Sequence, residues 1–395
     1  MSADAEPRSP TVEALIEGNH LRLIDDGPER LSELLALIDG AQISLKFYFY
    51  MFQSDDCGEA VMDRLLAALA RGVNVALMVD CFGSADADRG FFEPFQAAGG
   101  QFGMFSSRRS TRYLIRNHQK FAIADSKRLM MGGFNISNQY FGTPDNNCWH
   151  DLGLLLEGPQ TAELERWFDA LQQWVMANKQ RYARLSRMIR DWQGGNGTFS
   201  WLIGGPVRRL NPWAQSAKRD LERGRRCDMI QAYFSPSRGM LRRIGKVGMR
   251  GQVRIVTASL SDNSTTIAAA RSLYSGLFRH RVRIFEYLPC KLHMKLIVID
   301  DIVYIGSANF DMRSLFINLE LMLRIEDAGF AAQMREFVTR ETANCQEITS
   351  ALHRERTGVL ARFLGRISYV LVGALDYTVT RRLNLPMRLR IRSKG

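Results

Sequence analysis

Two triplets in this chain, His118-Gln119-Lys120 and His293-Met294-Lys295, set an imidazole two residues before an ammonium group, 175 positions apart. Each is followed by an aspartate, Asp125 or Asp300, and then by Gly132-Gly133-Phe134-Asn135 or Gly306-Ser307-Ala308-Asn309. Both copies therefore read H-x-K-x4-D and then G-[GS]-x-N. Residues two apart in a strand face the same side, so each histidine projects with its lysine. The candidate catalytic set is His118, Lys120, Asp125, His293, Lys295 and Asp300. Within it the two aspartates sit at odd spacing from their histidines, and are expected at the hairpin turn, holding backbone.

Duplication about a pseudo-twofold axis would gather two imidazoles, two ammonium groups and two amides into one cleft. That set suits a phosphodiester. One imidazole attacks phosphorus and the other protonates the departing alkoxide. The lysines, with Asn135, Asn309 and Ser307 as candidate phosphate-binding residues, hold the phosphoryl oxygens as charge develops. The chemistry calls for no metal and no other cofactor: a cation two residues from each histidine would repel a divalent ion, and no Asp/Glu cluster accompanies either. Each histidine also needs a carboxylate to orient its ring. Asp151, 33 residues after His118, and Glu320, 27 after His293, each open the next strand of the same half and are the candidates. A single H-x-K triplet means little; two copies with matched Asp and Asn spacing mark a pair.

These groups need a frame. Residues 20–24 read as a short strand, and Leu31, Leu34, Leu35 and Ile38 recur at helical spacing. Residues 43–52 (ISLKFYFYMF) are aromatic and long enough for a buried strand. A helix capped by Asp55 or Asp56 follows, carrying Val61, Leu65, Leu66 and Leu69, and Arg71-Gly72 closes it before a second buried strand at 73–79. Strand–helix–strand at this spacing predicts an α/β fold with parallel pairing. A helix at 91–98, a strand at 102–105 and the basic loop 108–112 lead into the first motif. A strand at 152–156 and a helix over 161–184 follow it. The second half repeats the pattern: 229–234 answers to 43–52, 250–257 to 71–79, and 282–287 to the strand before the first motif. A repeat of this length means two whole domains. The expected divisions are a disordered leader at 1–17, a first domain at 18–190, a connecting segment at 191–226, a second domain at 227–350 and a tail at 351–395.

The chain of 395 residues carries 53 basic against 41 acidic residues, a net charge of +12. Residues 176–226 hold 12 basic and 3 acidic, residues 351–395 hold 10 and 2, so these segments supply +17 and the remainder is slightly acidic. The excess favours an anionic partner: nucleic acid, a membrane surface or a phosphorylated substrate. The connecting segment also holds Trp192, Trp201 and Trp213, which either pack on a domain core or form a lipid-facing flap. In the tail, residues 360–383 put apolar side chains on one helical face among arginines. This reads as a basic amphipathic membrane anchor, with a packed helix as the alternative. Six cysteines without a C-x-x-C pair suggest buried thiols in a reducing compartment. With no secretory h-region in residues 1–10 and no apolar run of membrane-spanning length, the expectation is a soluble or peripheral cytoplasmic protein.

The duplicated motif resembles that of the phospholipase D superfamily, over most of the chain. Gly132-Gly133-Phe134-Asn135-Ile136 with Tyr140-Phe141-Gly142, Trp149-His150-Asp151, Leu156-Glu157-Gly158-Pro159, and the early Gly18-Asn19-His20 with Asp25-Asp26-Gly27 are similar to bacterial cardiolipin synthases. The similarity is to the short type, without two N-terminal transmembrane helices. The resemblance implies two duplicated α/β/α sandwich domains related by a pseudo-twofold axis, with the active site at their interface. It implies a phosphatidyltransferase that works through a phosphohistidine: one phosphatidylglycerol gives up its phosphatidyl group and releases glycerol, and a second accepts it. By analogy with the superfamily His118 is the nucleophile and His293 the general acid/base, although the sequence alone leaves that order open. The implied partner is an anionic phospholipid surface, met as a monomer on the inner face of a bacterial cell membrane, with no nucleic acid expected. Two rivals stand beside this reading: a hydrolase or nuclease using the same two histidines, and a non-catalytic membrane-binding scaffold.

Overall fold

The structure, a computed structural model, describes residues 12–88, 90–105, 115–207, 210–356 and 367–369. The first half forms one sheet from β1 (Glu13–Ile16), β2 (Asn19–Ile24), β3 (Ser44–Phe49), β4 (Asn74–Asp80), β5 (Gln101–Phe105), β6 (Lys120–Ala124), β7 (Arg128–Gly132) and β8 (Gly153–Glu157). Their spatial order is β1-β2-β8-β7-β6-β3-β4-β5. The second half supplies β9 (Gly194–Gly195), β10 (Phe199–Ile203), β11 (Arg226–Gln231), β12 (Gln252–Ala258), β13 (Arg283–Tyr287), β14 (Lys295–Ile299), β15 (Ile302–Gly306), β16 (Leu321–Glu326) and β17 (Cys345–Glu347). The order β9-β10-β16-β15-β14-β11-β12-β13-β17 repeats the first sheet position for position and adds one edge strand. As the strand–helix–strand pattern predicts, β3 pairs with β4 and β11 with β12 in parallel, while the H-x-K strands β6 and β14 run antiparallel beside them.

The strands read as nearly continuous apolar runs because both faces of each sheet are covered. In β3, Leu45, Phe47 and Phe49 face α1 (Gly27–Asp39) and α2 (Asp56–Ala70), while Tyr48 faces the other way. That other face belongs to a core shared by both halves. It contains α3 (Gln160–Val175), α4 (Tyr182–Asp191) and α8 (Ala328–Ala343), packed between residues of the two sheets such as Phe121 and Leu296. The outer face of the second sheet is covered by α5 (Pro212–Arg223), α6 (Arg238–Arg250) and α7 (Ser264–Phe278). The layers are thus helix, sheet, shared helices, sheet, helix.

Three sequence expectations change here. Residues 13–16, assigned to the leader, form edge strand β1 paired to β2. The segment 191–226 is not a connector: β9 and β10 are the first hairpin of the second sheet, with β10 paired to β16, and α5 covers that sheet. Trp201 and Trp213 are 1% and 0% exposed and belong to the core rather than to a lipid-facing flap, while half-buried Trp192 packs against the core in part and meets Trp167 edge-on at 5.5 Å. The helix expected over 161–184 stops at Val175 and restarts at Tyr182. The break is held by Trp174 Nε1 donating to the Arg181 carbonyl and Gln180 Nε2 to that of Val175. The basic loop 108–112, residues 1–11 and the amphipathic stretch 360–383, apart from 367–369, lie outside the described residues. Among the described residues no helix is long and apolar enough to cross a membrane.

Candidate active site

Each H-x-K pair sits where the chain enters a central strand, with Lys120 and Lys295 as the first residues of β6 and β14. The hairpin turns that follow carry the aspartates, away from the histidines. Asp125, at φ +53°, accepts hydrogen bonds from the amides of Gln42, Ile43 and Ser44 at 2.8–2.9 Å. Asp300, at φ +47°, accepts from those of Arg225 and Arg226 at 2.8–3.1 Å. Both therefore anchor the start of the neighbouring strand, β3 or β11, and the structure separates them from the reacting groups.

The two halves meet through backbone exchanged in pairs. The His118 amide donates to the Leu319 carbonyl at 2.8 Å, and the His293 amide to the His150 carbonyl at 2.8 Å. In each case the acceptor immediately precedes a carboxylate, Glu320 or Asp151. A short parallel ladder joins Lys291-Leu292 to Trp149-His150, and Asn117 bridges Leu319 in the matching place.

That exchange decides which carboxylate serves which ring, and it overturns the expected pairing within each half. His118 Nδ1 lies 3.1 Å from Glu320 Oε2, and His293 Nδ1 lies 2.5 Å from Asp151 Oδ2. Both carboxylates are 0% exposed. Burial would raise the Asp151 carboxyl, but Lys295 and His293 outweigh it and hold it at about 2. Glu320 is likewise held below its ordinary range, with His118 and Lys120 overcoming its burial. With the carboxylates ionised, each histidine places its Nδ1 proton toward the carboxylate and leaves Nε2 with its lone pair for chemistry.

Lys295 Nζ also lies 2.7 Å from His293 Nδ1, a position from which it cannot donate while that nitrogen donates to Asp151. Its settled partner is the His293 carbonyl, as the His118 carbonyl is that of Lys120. Burial first and Lys295 second depress His293 to about 4; burial and Lys120 lower His118. Burial also brings Lys295 down to about 8 and Lys120 well below its normal range. Lys120 acts on His293, and Lys295 acts on both His118 and Lys120, so the four groups share one electrostatic site.

The glycine–serine difference between the motifs has a steric cause. A Cβ on Gly133 would lie 2.4 Å from Asp151 Oδ1, so the carboxylate fills the space a serine would need. In the other half Ser307 Oγ donates to Glu320 Oε2 at 2.5 Å and accepts from the Leu321 amide at 3.1 Å. Ser307, expected at the phosphate, is occupied with the carboxylate instead. Asn135 Oδ1 accepts from the Met51 amide at 3.2 Å. Asn309 Oδ1 is buried and has no hydrogen-bond partner among the described residues.

Sequence reasoning missed the surroundings of the rings. His293 lies 5.0 Å edge-on from Trp149 and 5.2 Å from Tyr140, while His118 meets Tyr50 at 5.0 Å. The His293 side chain is 6% exposed and that of His118 is 15% exposed. Behind Asp151 stands Arg30, 0% exposed, donating to the carbonyls of Asp151 at 2.7 Å and Tyr140 at 2.5 Å. Its sequence signal is a lone charge on an apolar stripe, since Arg30, Leu34, Leu37 and Ile38 share the buried face of α1.

Two hairpins of this kind, closed on one another so that each half completes the other's histidine, define the phospholipase D class. The family model described as "Cardiolipin synthase, PLD-like domain" matches residues 34–172 and 216–341, and the chain belongs to that family, an enzyme of the phosphatidyltransferase type. Cardiolipin synthase A of Pseudomonas entomophila is 29% identical over 352 residues, covering 86% of this chain and 72% of the relative. A cardiolipin synthase of Listeria monocytogenes is 26% identical over 353 residues, covering 87% and 73%. Among solved structures, phosphatidylserine synthase of Haemophilus influenzae superposes with a TM-score of 0.75 at 14% identity, covering 93% of this chain and 97% of that one, a likeness of fold.

Proposed function

We propose that this enzyme forms cardiolipin from two molecules of phosphatidylglycerol through a phosphohistidine. His118 Nε2 attacks the phosphorus of the first lipid, the bond from phosphorus to the glycerol oxygen breaks, and His293 supplies the proton that glycerol carries away. The hydroxyl of a second phosphatidylglycerol then attacks the phosphohistidine, its proton passes to His293, and the P–N bond breaks. The observation that carries the reading is the reciprocal His118–Glu320 and His293–Asp151 pairing, which poises two neutral imidazoles with free Nε2 atoms beside two lysines. Asn309 Oδ1, without a hydrogen-bond partner among the described residues, offers an acceptor to a hydroxyl of the bound lipid. A phosphodiester anion entering between the lysines favours one proton on the histidine pair, and that proton sits on His293 as the acid while His118 stays neutral for attack. The greater exposure of His118 supports its assignment as nucleophile. Both histidines and both carboxylates come from one chain, which supports a monomer, and the place we propose for it is the cytoplasmic face of the membrane.

The deciding experiment incubates the protein with phosphatidylglycerol vesicles and separates the products. Cardiolipin with equimolar glycerol supports the transferase; phosphatidic acid alone makes it a hydrolase. Turnover by His118→Ala at the wild-type rate would remove the proposed nucleophile.

A further inference from the structure

A groove of 1490 Å³ runs along the flank of the second half, larger than the ~300–1,000 Å³ of common small-molecule pockets. Its walls are α4 and α5, and its base is β10 with the chain that follows. Its lining includes Ile115, three residues before His118, and Phe316, four before Glu320. The floor is aliphatic and aromatic: Ile115, Leu202, Val207, Leu210 and Phe316, all half-buried. The rim carries Arg187, Arg190 and Arg219, all exposed, and no described lining residue is acidic. Arg190 leans on neighbouring Asp191 at 2.8 Å and Arg219 on Asp220 at 3.3 Å. Asp220 is already engaged by Arg324 at 2.8 Å, so the rim stays cationic.

An apolar floor beneath a cationic rim fits an anionic amphiphile. Tyr182 and Trp192 also line the groove and give a base a stacking face, so it is the aliphatic Ile115, Leu202, Val207 and Leu210, which offer a base neither stacking nor a hydrogen bond, that favour acyl chains over nucleic acid. We propose that the groove binds one anionic phospholipid, distinct from the reacting phosphodiester, with its acyl chains on the floor and its phosphate among Arg187, Arg190 and Arg219. The bound lipid seats the protein on the bilayer with His118 turned toward its substrate. The proposal rests on the phosphatidyltransferase reading only for its choice of phospholipid.

The test uses the full chain and vesicles of phosphatidylglycerol or phosphatidylcholine, with turnover of soluble bis(4-nitrophenyl) phosphate followed in parallel. The rim variant Arg187→Glu/Arg190→Glu/Arg219→Glu is expected to bind phosphatidylglycerol vesicles on the order of a hundredfold more weakly. A floor variant, Val207→Asn/Leu210→Asn, should lose on the order of tenfold. Both should keep wild-type turnover of the soluble ester. Phosphatidylglycerol brominated in its chains should quench Trp192, which lines the groove, and Trp192→Phe should remove that part of the quenching. Wild-type vesicle binding by either variant, or quenching unchanged in Trp192→Phe, overturns the groove. Failure of the wild-type protein to turn over any phosphodiester counts against the catalytic reading instead, and leaves the binding result legible.

Discussion

His118 Nδ1 lies 3.1 Å from Glu320 Oε2, across 202 residues of chain and in the opposite half of the molecule. The amide replacements Glu320→Gln and Asp151→Asn keep shape but lose the charge that fixes the Nδ1 proton. Each is expected to lower kcat by ~10²–10⁴-fold while changing KM little, read from initial rates on phosphatidylglycerol vesicles. A wild-type kcat in either variant would dismiss the orienting role.

Gly133 and Ser307 should respond differently to the same residue. Gly133→Ala places a methyl group 2.4 Å from Asp151 Oδ1, so the carboxylate must move and His293 with it. Ser307→Ala removes one hydrogen bond to Glu320 and leaves the His118 contact in place. The expectation is a loss of ~10²-fold or more in kcat for Gly133→Ala and about tenfold for Ser307→Ala. Equal losses would contradict the steric account.

Arg30 ties together two residues that hold His293, through the carbonyls of Asp151 and Tyr140. Arg30→Met strands both carbonyls in the core and should lower unfolding free energy by about 3–5 kcal/mol in urea titration. Arg30→Lys restores one donor, lacks the fork and should fall between. If Arg30 also positions the acid/base, Arg30→Lys will shift the pH–rate profile while KM holds.

The depressed histidine predicts an acid-sensitive fold. An ordinary imidazole titrates near 6.5, whereas burial and Lys295 hold that of His293 at about 4. As pH falls from ~6.5 to about 4 the unfolded chain takes up a proton the folded protein refuses, so stability declines across that window and is level above it for this group. Asp151, held at about 2, adds a second decline below its unfolded value of ~3.9. Urea midpoints between pH 8 and 4 should slope for wild type and slope less in His293→Asn, where the lowered His118 remains; the same slope in both would place the acid sensitivity elsewhere.

Much of this was legible in the sequence, because strands and helices follow from local periodicity. The H-x-K pairs, the parallel β3–β4 unit and the two strand-opening carboxylates could be read directly. The partnering of those carboxylates could not. Counting along the chain links Asp151 to His118, while the exchanged ladders at 117/319 and 292/150 link it to His293. Phe199, Trp201 and Ile203 alternate with Ser200 and Leu202, a period-two signature of a strand that the surrounding glycines obscured. Arg30 announced itself only as an ion on an apolar stripe, whose meaning depended on a carbonyl 121 residues away.

The paired amide bonds from His118 to Leu319 and from His293 to His150 carry a mechanical consequence. Each histidine is pinned to the opposite half at its backbone and at its ring, so neither can be displaced alone by a slip between the halves. Attack on phosphorus and protonation of the leaving group are therefore gauged by one common alignment, and strain anywhere along that seam reaches both steps together.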